Sequence, residues 1–277
     1  MSDLMERDRI AGEAWNGSCP GCGGVGDVAD ARGFRRCQGC GTLWVPSRRD
    51  YEYDDAYPAF RGHHDEAIAA CKIRTFDRWL RHLNVPLAGR NVLEVGFGGG
   101  ATLAWMHGLG ANVSGVEPVV SNRAVAIRSG VPETNVKASL TDFEDGDFDL
   151  IVYQDSFEHE TEPSTHLATL NRLTATGARA LLVLPIADCL SRRVLGSWWP
   201  HDIKDHWVFY STAGLIRLWQ NHGWRLASTF HPGKYISGLT IARHLELKTR
   251  VPLPAAPLRS TAIWLNFGER GLIFEKC

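Results

Sequence analysis

Val92-Leu93-Glu94-Val95-Gly96-Phe97-Gly98-Gly99-Gly100 reads as an apolar strand running into a glycine-rich turn, and Ala101 to Leu109 after it can form a helix. Glycines let the backbone approach a ligand closely, and the start of the following helix offers free N–H groups and a partial positive charge to an anion. Asn112-Val113-Ser114-Gly115-Val116-Glu117 then reads as a second strand. It ends in an acid about twenty residues beyond the turn, the distance expected of a carboxylate that grips ribose hydroxyls. The turn alone does not choose among nucleotide-like ligands, because Gly96-x-Gly98-x-x-Ala101 also satisfies the loose dinucleotide fingerprint of an NAD-dependent oxidoreductase.

Outward from this turn, strands are predicted at 91–95, 112–117, 135–139, 148–153, 179–184, 225–231 and 270–276, with helices between the first six. That alternation implies an α/β fold, a doubly wound, mainly parallel seven-stranded sheet over 90–277. Ligands in such sheets lie beyond the carboxyl ends of the strands. Gly96 to Gly100, Glu117, Gln154 to His159 and an insertion at 186–211 should therefore converge on one edge. The insertion holds Trp198, Trp199, His201, His206 and Trp207, an aromatic density suited to walling a pocket, with a minor core beneath a long loop as the alternative. Lys234-Tyr235-Ile236-Ser237 marks the enlarged tip of a late hairpin that covers the site or forms a dimer contact.

Ahead of this domain, Cys19-Pro20-Gly21-Cys22 and Cys37-Gln38-Gly39-Cys40 are separated by fourteen residues, and Gly23 and Gly41 follow the two pairs. A two-residue spacer lets neighbouring thiolates take two corners of a tetrahedron, and the glycine after each pair can turn backbone N–H groups toward sulfur. Residues 1–50 therefore read as a small zinc ribbon. Four cysteines leave no open coordination position, so the zinc is structural. Residues 51–89 read as a connector followed by a packing helix, with Ile73, Phe76, Leu80 and Leu83 at helical spacing and Pro86 and Gly89 ending the pattern.

Composition bounds the partners. The 277 residues are 44% apolar and carry a formal net charge of -1, and residues 1–50 hold seven acidic and seven basic side chains. This argues against a nucleic-acid partner. No stretch reaches the roughly 18 apolar residues of a membrane span and the start has no apolar signal region, so a cytoplasmic protein, monomer or homodimer, is expected.

Glu94-x-Gly96-x-Gly98-x-Gly100 resembles the first motif of class I S-adenosylmethionine-dependent methyltransferases, in which an acid stands two places before the first glycine. Phe148-Asp149-Leu150-Ile151-Val152, Asp155-Ser156-Phe157-Glu158-His159 and Pro163 are similar to that family's fourth-strand pattern. Leu195-Gly196-Ser197-Trp198-Trp199 and His206-Trp207-Val208-Phe209-Tyr210-Ser211 resemble its small-molecule members, many of which place a cysteine module ahead of the catalytic domain.

The resemblance implies a Rossmann-like methyltransferase fold and S-adenosylmethionine as cofactor, with Glu94, Gly96, Gly98 and Gly100 at the amino-acid end, Glu117 at ribose, and Ser139 and Leu140 near adenine. Gln154 and Asp155 complete the expected cofactor set. It also implies methylation of a small-molecule acceptor at oxygen, nitrogen or carbon, in natural-product or glycan biosynthesis. In-line methyl transfer needs chiefly alignment and exclusion of water. A base helps when the acceptor is a hydroxyl, and His159, followed by His206 and His201, are the candidates. Trp198, Trp199, Trp207 and Tyr235 are expected to contact the acceptor. An RNA methyltransferase with a zinc module, an NAD-dependent oxidoreductase, and an interaction module with a vestigial catalytic domain are the competing readings.

Overall fold

The computed structural model describes residues 18–28, 33–45, 65–84, 86–203, 206–251 and 261–277, and the expected connection over 46–64 lies outside them. The N-terminal module contributes three short strands, β1 (Gly26–Val28), β2 (Arg35–Cys37) and β3 (Leu43–Trp44). Helix α1 (Glu66–Leu83) follows, capped by the Asp65 carboxylate and ended by Asn84 in the left-handed region. Its buried residues Thr75, Phe76, Trp79 and Leu83 repeat every three or four positions and so share one face. Phe76 and Leu83 are positions the apolar spacing marks, and Trp79 fills the gap between them, its indole N–H donating to the Gly233 carbonyl at 2.9 Å.

The main sheet is built from β4 (Asn91–Val95), β5 (Asn112–Val116), β6 (Val136–Lys137), β7 (Phe148–Gln154), β8 (Thr174–Pro185), β10 (Trp224–Phe230) and β13 (Glu269–Lys276). Their order is β10-β13-β8-β7-β4-β5-β6. The pairs among β4 to β8 are parallel, and β13 runs antiparallel between β8 and β10. The order reverses at β4, so the carboxyl ends of β4 and β7 form the crevice where a ligand is expected.

Both faces of this sheet are covered, which is why its strands read as continuous apolar runs. Leu93, Ile151, Tyr153, Ala180, Leu182, Leu272 and Phe274 point into one core. Val92, Leu150, Val152, Leu181, Val183 and Ile273, the alternate positions, point into the other. Helices α2 (Ala101–Gly108), α3 (Val120–Arg128), α4 (Pro163–Arg172) and α6 (Thr212–Asn221) connect the strands. Between β6 and β7 the expected helix is replaced by a single 3-10 turn at Leu140–Asp142, closed by reciprocal capping between Ser139 and Asp142. The remaining polar, glycine-containing stretch to Asp147 offers too little apolar surface to bury a helical face.

Two additions shape the ligand edge. After β8 come α5 (Leu190–Leu195) and β9 (Val208–Phe209), and β9 pairs with β3, so the module's sheet runs in the order β1-β2-β3-β9. After β10 the hairpin tip holds β11 (Lys234–Ser237), α7 (Gly238–Thr249) and β12 (Ala262–Leu265). No helix among the described residues is long and apolar enough to cross a membrane.

Trp219 lies at the centre of the first core, stacked on Phe274 at 4.8 Å and edge-on to Trp224 at 5.2 Å. Trp219→Ala should cost about 3–5 kcal/mol in urea unfolding, with the slope unchanged.

Candidate active site

Three glycines of the turn after β4 have positive φ: Gly96 at 75°, Gly98 at 57° and Gly100 at 71°. Crowding reinforces the requirement, since a Cβ on Gly96 would lie 2.5 Å from the Ser156 Cβ and one on Gly100 would lie 2.7 Å from the Ala126 Cβ. The turn is held from both sides. Gly96 donates to the Val116 carbonyl at 2.8 Å, and the Ser156 hydroxyl donates to the Val95 carbonyl at 2.7 Å.

Glu117, at the end of β5, is buried and bonded to the turn it faces. Its Oε2 accepts the Gly98 N–H at 2.8 Å, and its Oε1 accepts the Val119 N–H at 3.0 Å and the Asn122 amide at 3.3 Å. A carboxylate has about four acceptor positions, so Oε2 retains one for a hydroxyl. Glu94 lies beneath the turn instead of on the cavity wall: its Oε1 accepts the Thr102 hydroxyl at 2.6 Å and the Gln154 amide at 3.3 Å, while Oε2 is buried without a hydrogen-bond partner. Burial, opposed by the Thr102 hydrogen bond and the nearby Lys72 ammonium, raises its carboxyl to about 7.

These elements open onto one cavity of about 1050 Å³. Gly96, Gly98, Glu117, Ser139, Leu140, Gln154 and Asp155 line it on one side. His159, Trp198, His201, His206 and Tyr235 line it on the other. Gly100 shapes the turn from behind. Trp199 and Trp207 are not part of the cavity wall. Trp199 is fully buried with Phe34, Leu43 and Phe209, and Trp207 joins the core that contains Trp44. Of the insertion's tryptophans, Trp198 alone reaches the cavity, half-exposed at its rim.

The three candidate histidines lie together. The rings of His159 and His206 are 4.7 Å apart and edge-on, and His201 stacks at 6.3 Å from His206. Burial, with His159 and His201 close by, holds His206 well below the usual imidazole range. His201 Nε2 lies 3.0 Å from Glu269 Oε1. Lys234 Nζ reaches Glu269 at 2.9 Å and the two Asp155 oxygens at 2.7 and 2.5 Å. The carboxylates raise the Lys234 ammonium against its burial, and Lys234 with His201 outweighs burial to hold Glu269 well below the carboxylate range. Asp155 itself sits at φ 48°, held there by this pairing. Lys72 of α1 lines the same cavity, its proton affinity lowered by burial against the pull of Asp155, Glu94 and Glu117. Lys72, Lys234 and Glu269 carry no motif. The signal that could have found Lys234 is its place beside Tyr235 in the hairpin tip.

The four cysteines also converge. Cys19 and Cys40 sulfurs are 3.6 Å apart, Cys22 and Cys37 sulfurs 3.4 Å, and all four lie within 4.8 Å of one another. Gly23 and Gly41 take positive φ, and the Gly21 N–H points at Cys19 Sγ at 3.4 Å. Among the described residues, two further groups have donor atoms within 4.8 Å of one another, Glu158 with His159 and His206, and Asp155 with His201 and Glu269. In the latter the Lys234 ammonium already bonds both carboxylates.

Residues 61–229 match a family model described as a methyltransferase domain. The chain is 35% identical over 194 residues to a ubiquinone biosynthesis O-methyltransferase of Thiobacillus denitrificans, covering 63% of this chain and 80% of that protein. It is 26% identical over 238 residues to a protein of the same name from a Methylobacterium species, covering 75% and 89%. Its fold is similar to that of magnesium protoporphyrin IX methyltransferase from Synechocystis PCC 6803 with bound S-adenosylhomocysteine, at a TM-score of 0.51 and 17% identity, covering 76% and 86%. The chain belongs to the class I S-adenosylmethionine-dependent methyltransferases.

Glu94 supplies a test that needs no substrate. Its folded carboxyl, at about 7, lies above the ordinary glutamate value of about 4.5, so the native state binds the extra proton and stability is lost as pH rises from about 4.5 through 7. Glu94→Gln removes this loss. The difference in unfolding free energy between the variant and the parent should grow by about 3 kcal/mol from pH 4.5 to 8 in favour of the variant, measured by urea titration across pH.

Proposed function

We propose that this enzyme methylates a hydroxyl oxygen of a small, largely apolar acceptor, using S-adenosylmethionine bound at the β4 turn and a structural zinc in the four-cysteine module. The observation that carries the reading is the single cavity joining the glycine turn and Glu117 to a wall of three histidines. The names of the curated relatives favour oxygen as the methylated atom.

The residues present fit the cofactor. The glycine turn, bent by positive φ, presents Gly96 and Gly98 to the cavity, and Glu94 Oε2 is an orphaned buried acceptor next to it. Glu117 Oε2 would take a ribose hydroxyl, Ser139 and Leu140 would border adenine, and Glu94 and Lys72 would lie toward the charged amino-acid end. When bound, the cofactor supplies a methyl group activated by its sulfonium. The protein aligns the acceptor oxygen and takes its proton. His159, directly after β7, is the proton acceptor. His206 is too reluctant to protonate and serves as its wall, while Glu269 fixes the ring of His201 against the acceptor. Leu195, Trp198, Ile203 and Tyr235 cover the acceptor and keep water out.

The zinc reading rests on the sulfur geometry. A tetrahedral ion with zinc–sulfur distances of about 2.3 Å places its sulfurs roughly 3.8 Å apart, close to the observed pair spacings.

Calorimetric titration with S-adenosylhomocysteine should show stoichiometric binding, and Glu117→Ala should weaken it by about tenfold or more. Binding unchanged in that variant removes the ribose assignment. With hydroxylated aromatic acceptors, His159→Asn should lower turnover by about 10²-fold or more while leaving S-adenosylhomocysteine affinity unaltered. Full turnover in His159→Asn removes it as the proton acceptor.

A further inference from the structure

The cysteine module is wired into the acceptor wall. We propose that its metal site is a positioning device for residues 206–214, so that metal occupancy orders the acceptor side of the active site and leaves the cofactor cradle alone. The inference rests on the zinc reading above.

The link is a short chain of contacts. Cys40 Sγ lies 3.2 Å from the Thr42 hydroxyl, which donates to the sulfur when it is a metal-bound thiolate; the same hydroxyl oxygen accepts the Ser211 N–H at 3.1 Å and lies 3.3 Å from the Ser211 hydroxyl. Ser211 in turn caps α6, accepting the Gly214 N–H at 3.0 Å. Thr42 is fully buried, so its bonds have no competition from water. Packing leaves no slack, because a Cβ on Gly214 would lie 2.3 Å from the Thr42 oxygen and 3.0 Å from Cys40 Sγ.

Alongside, Leu43 and Trp44 pair with Phe209 and Val208, and the Val45 N–H reaches the Trp207 carbonyl at 3.0 Å. That carbonyl is one residue from His206, whose ring packs edge-on against His159 on the cavity wall. A metal ion that fixes Cys40 therefore fixes Thr42, Ser211 and the strand leading back to His206. The cradle has its own supports: its bonds run among β4, α2, β5 and the loop after β7, and those named above involve no residue of 18–45.

Thr42→Val removes the hydroxyl at the centre of the link and keeps all four sulfur ligands. In full-length protein with its metal content measured, this variant should retain the metal and bind S-adenosylhomocysteine within about twofold of the parent. Amides 206–214 should exchange hydrogen about tenfold faster or more, and Thr42→Ser should restore their protection. Chelation should open 18–45 and 206–214 together while β4 and β5 stay protected. Exchange confined to 18–45 after chelation, or spread equally into β4 and β5, overturns the inference. Purified protein without tightly bound metal overturns the zinc reading instead, and the Thr42→Val exchange pattern still decides whether the link exists.

Discussion

The bond from the Gly98 N–H to the Glu117 carboxylate, 2.8 Å long, is the constraint on which the ligand edge depends. It joins the turn after β4 to the end of β5, and a charge-assisted bond of this kind is stronger than one between neutral groups. Glu117 can hold the turn only where the backbone bends sharply, which is why Gly96, Gly98 and Gly100 all adopt positive φ. The bend then brings Gly100 against the Ala126 methyl so closely that a Cβ on Gly100 would push α2 and α3 apart. Cofactor geometry and helix packing are thus one requirement.

On the opposite side of the cavity the organising principle is charge cancellation. Lys234, Asp155, Glu269 and His201 come from β11, the loop after β7, the start of β13 and the insertion. Each would be costly to bury singly, and together they satisfy one another, so removing one leaves the others unpaired. The network also holds Asp155 in the left-handed region, which fixes the exit of β7 and the direction in which Ser156 to His159 leave it. With Lys234 bonded to two carboxylates, the cationic character of this wall is largely spent.

The cofactor edge is legible in the sequence because its parts are local: strand, glycines, helix and an acid at fixed spacing. The central strands of the sheet are legible for the same reason, as apolar runs bounded by turn residues, whereas β6 is only Val136-Lys137 and β10 is largely polar between Trp224 and Phe230. The acceptor wall is not. Lys234 and Glu269 meet Asp155 and His201 across long stretches of chain, and no short-range pattern encodes such a meeting. Nor does composition distinguish Trp198, at the cavity rim, from Trp199, fully buried one residue later. A single residue of register decides which faces the ligand, and that register is set by packing against a module more than 150 residues earlier in the chain.

That dependence follows from size. The described residues of the cysteine module bury few apolar side chains, chiefly Phe34, Leu43 and Trp44, too few to stabilise a fold alone. A metal can fix the knuckles, but the rest of the apolar surface must be covered from outside. Trp44 enters the core that contains Phe157 and Tyr210, while Phe34 and Leu43 enter the cluster of Trp199 and Phe209. The insertion is therefore a shared element with two apolar demands: one face completes the module, and the other, through Trp198, His201 and His206, lines the cavity. Its aromatic density reflects both demands: Trp199 is fully buried in the cluster shared with the module, and Trp198 lines the cavity.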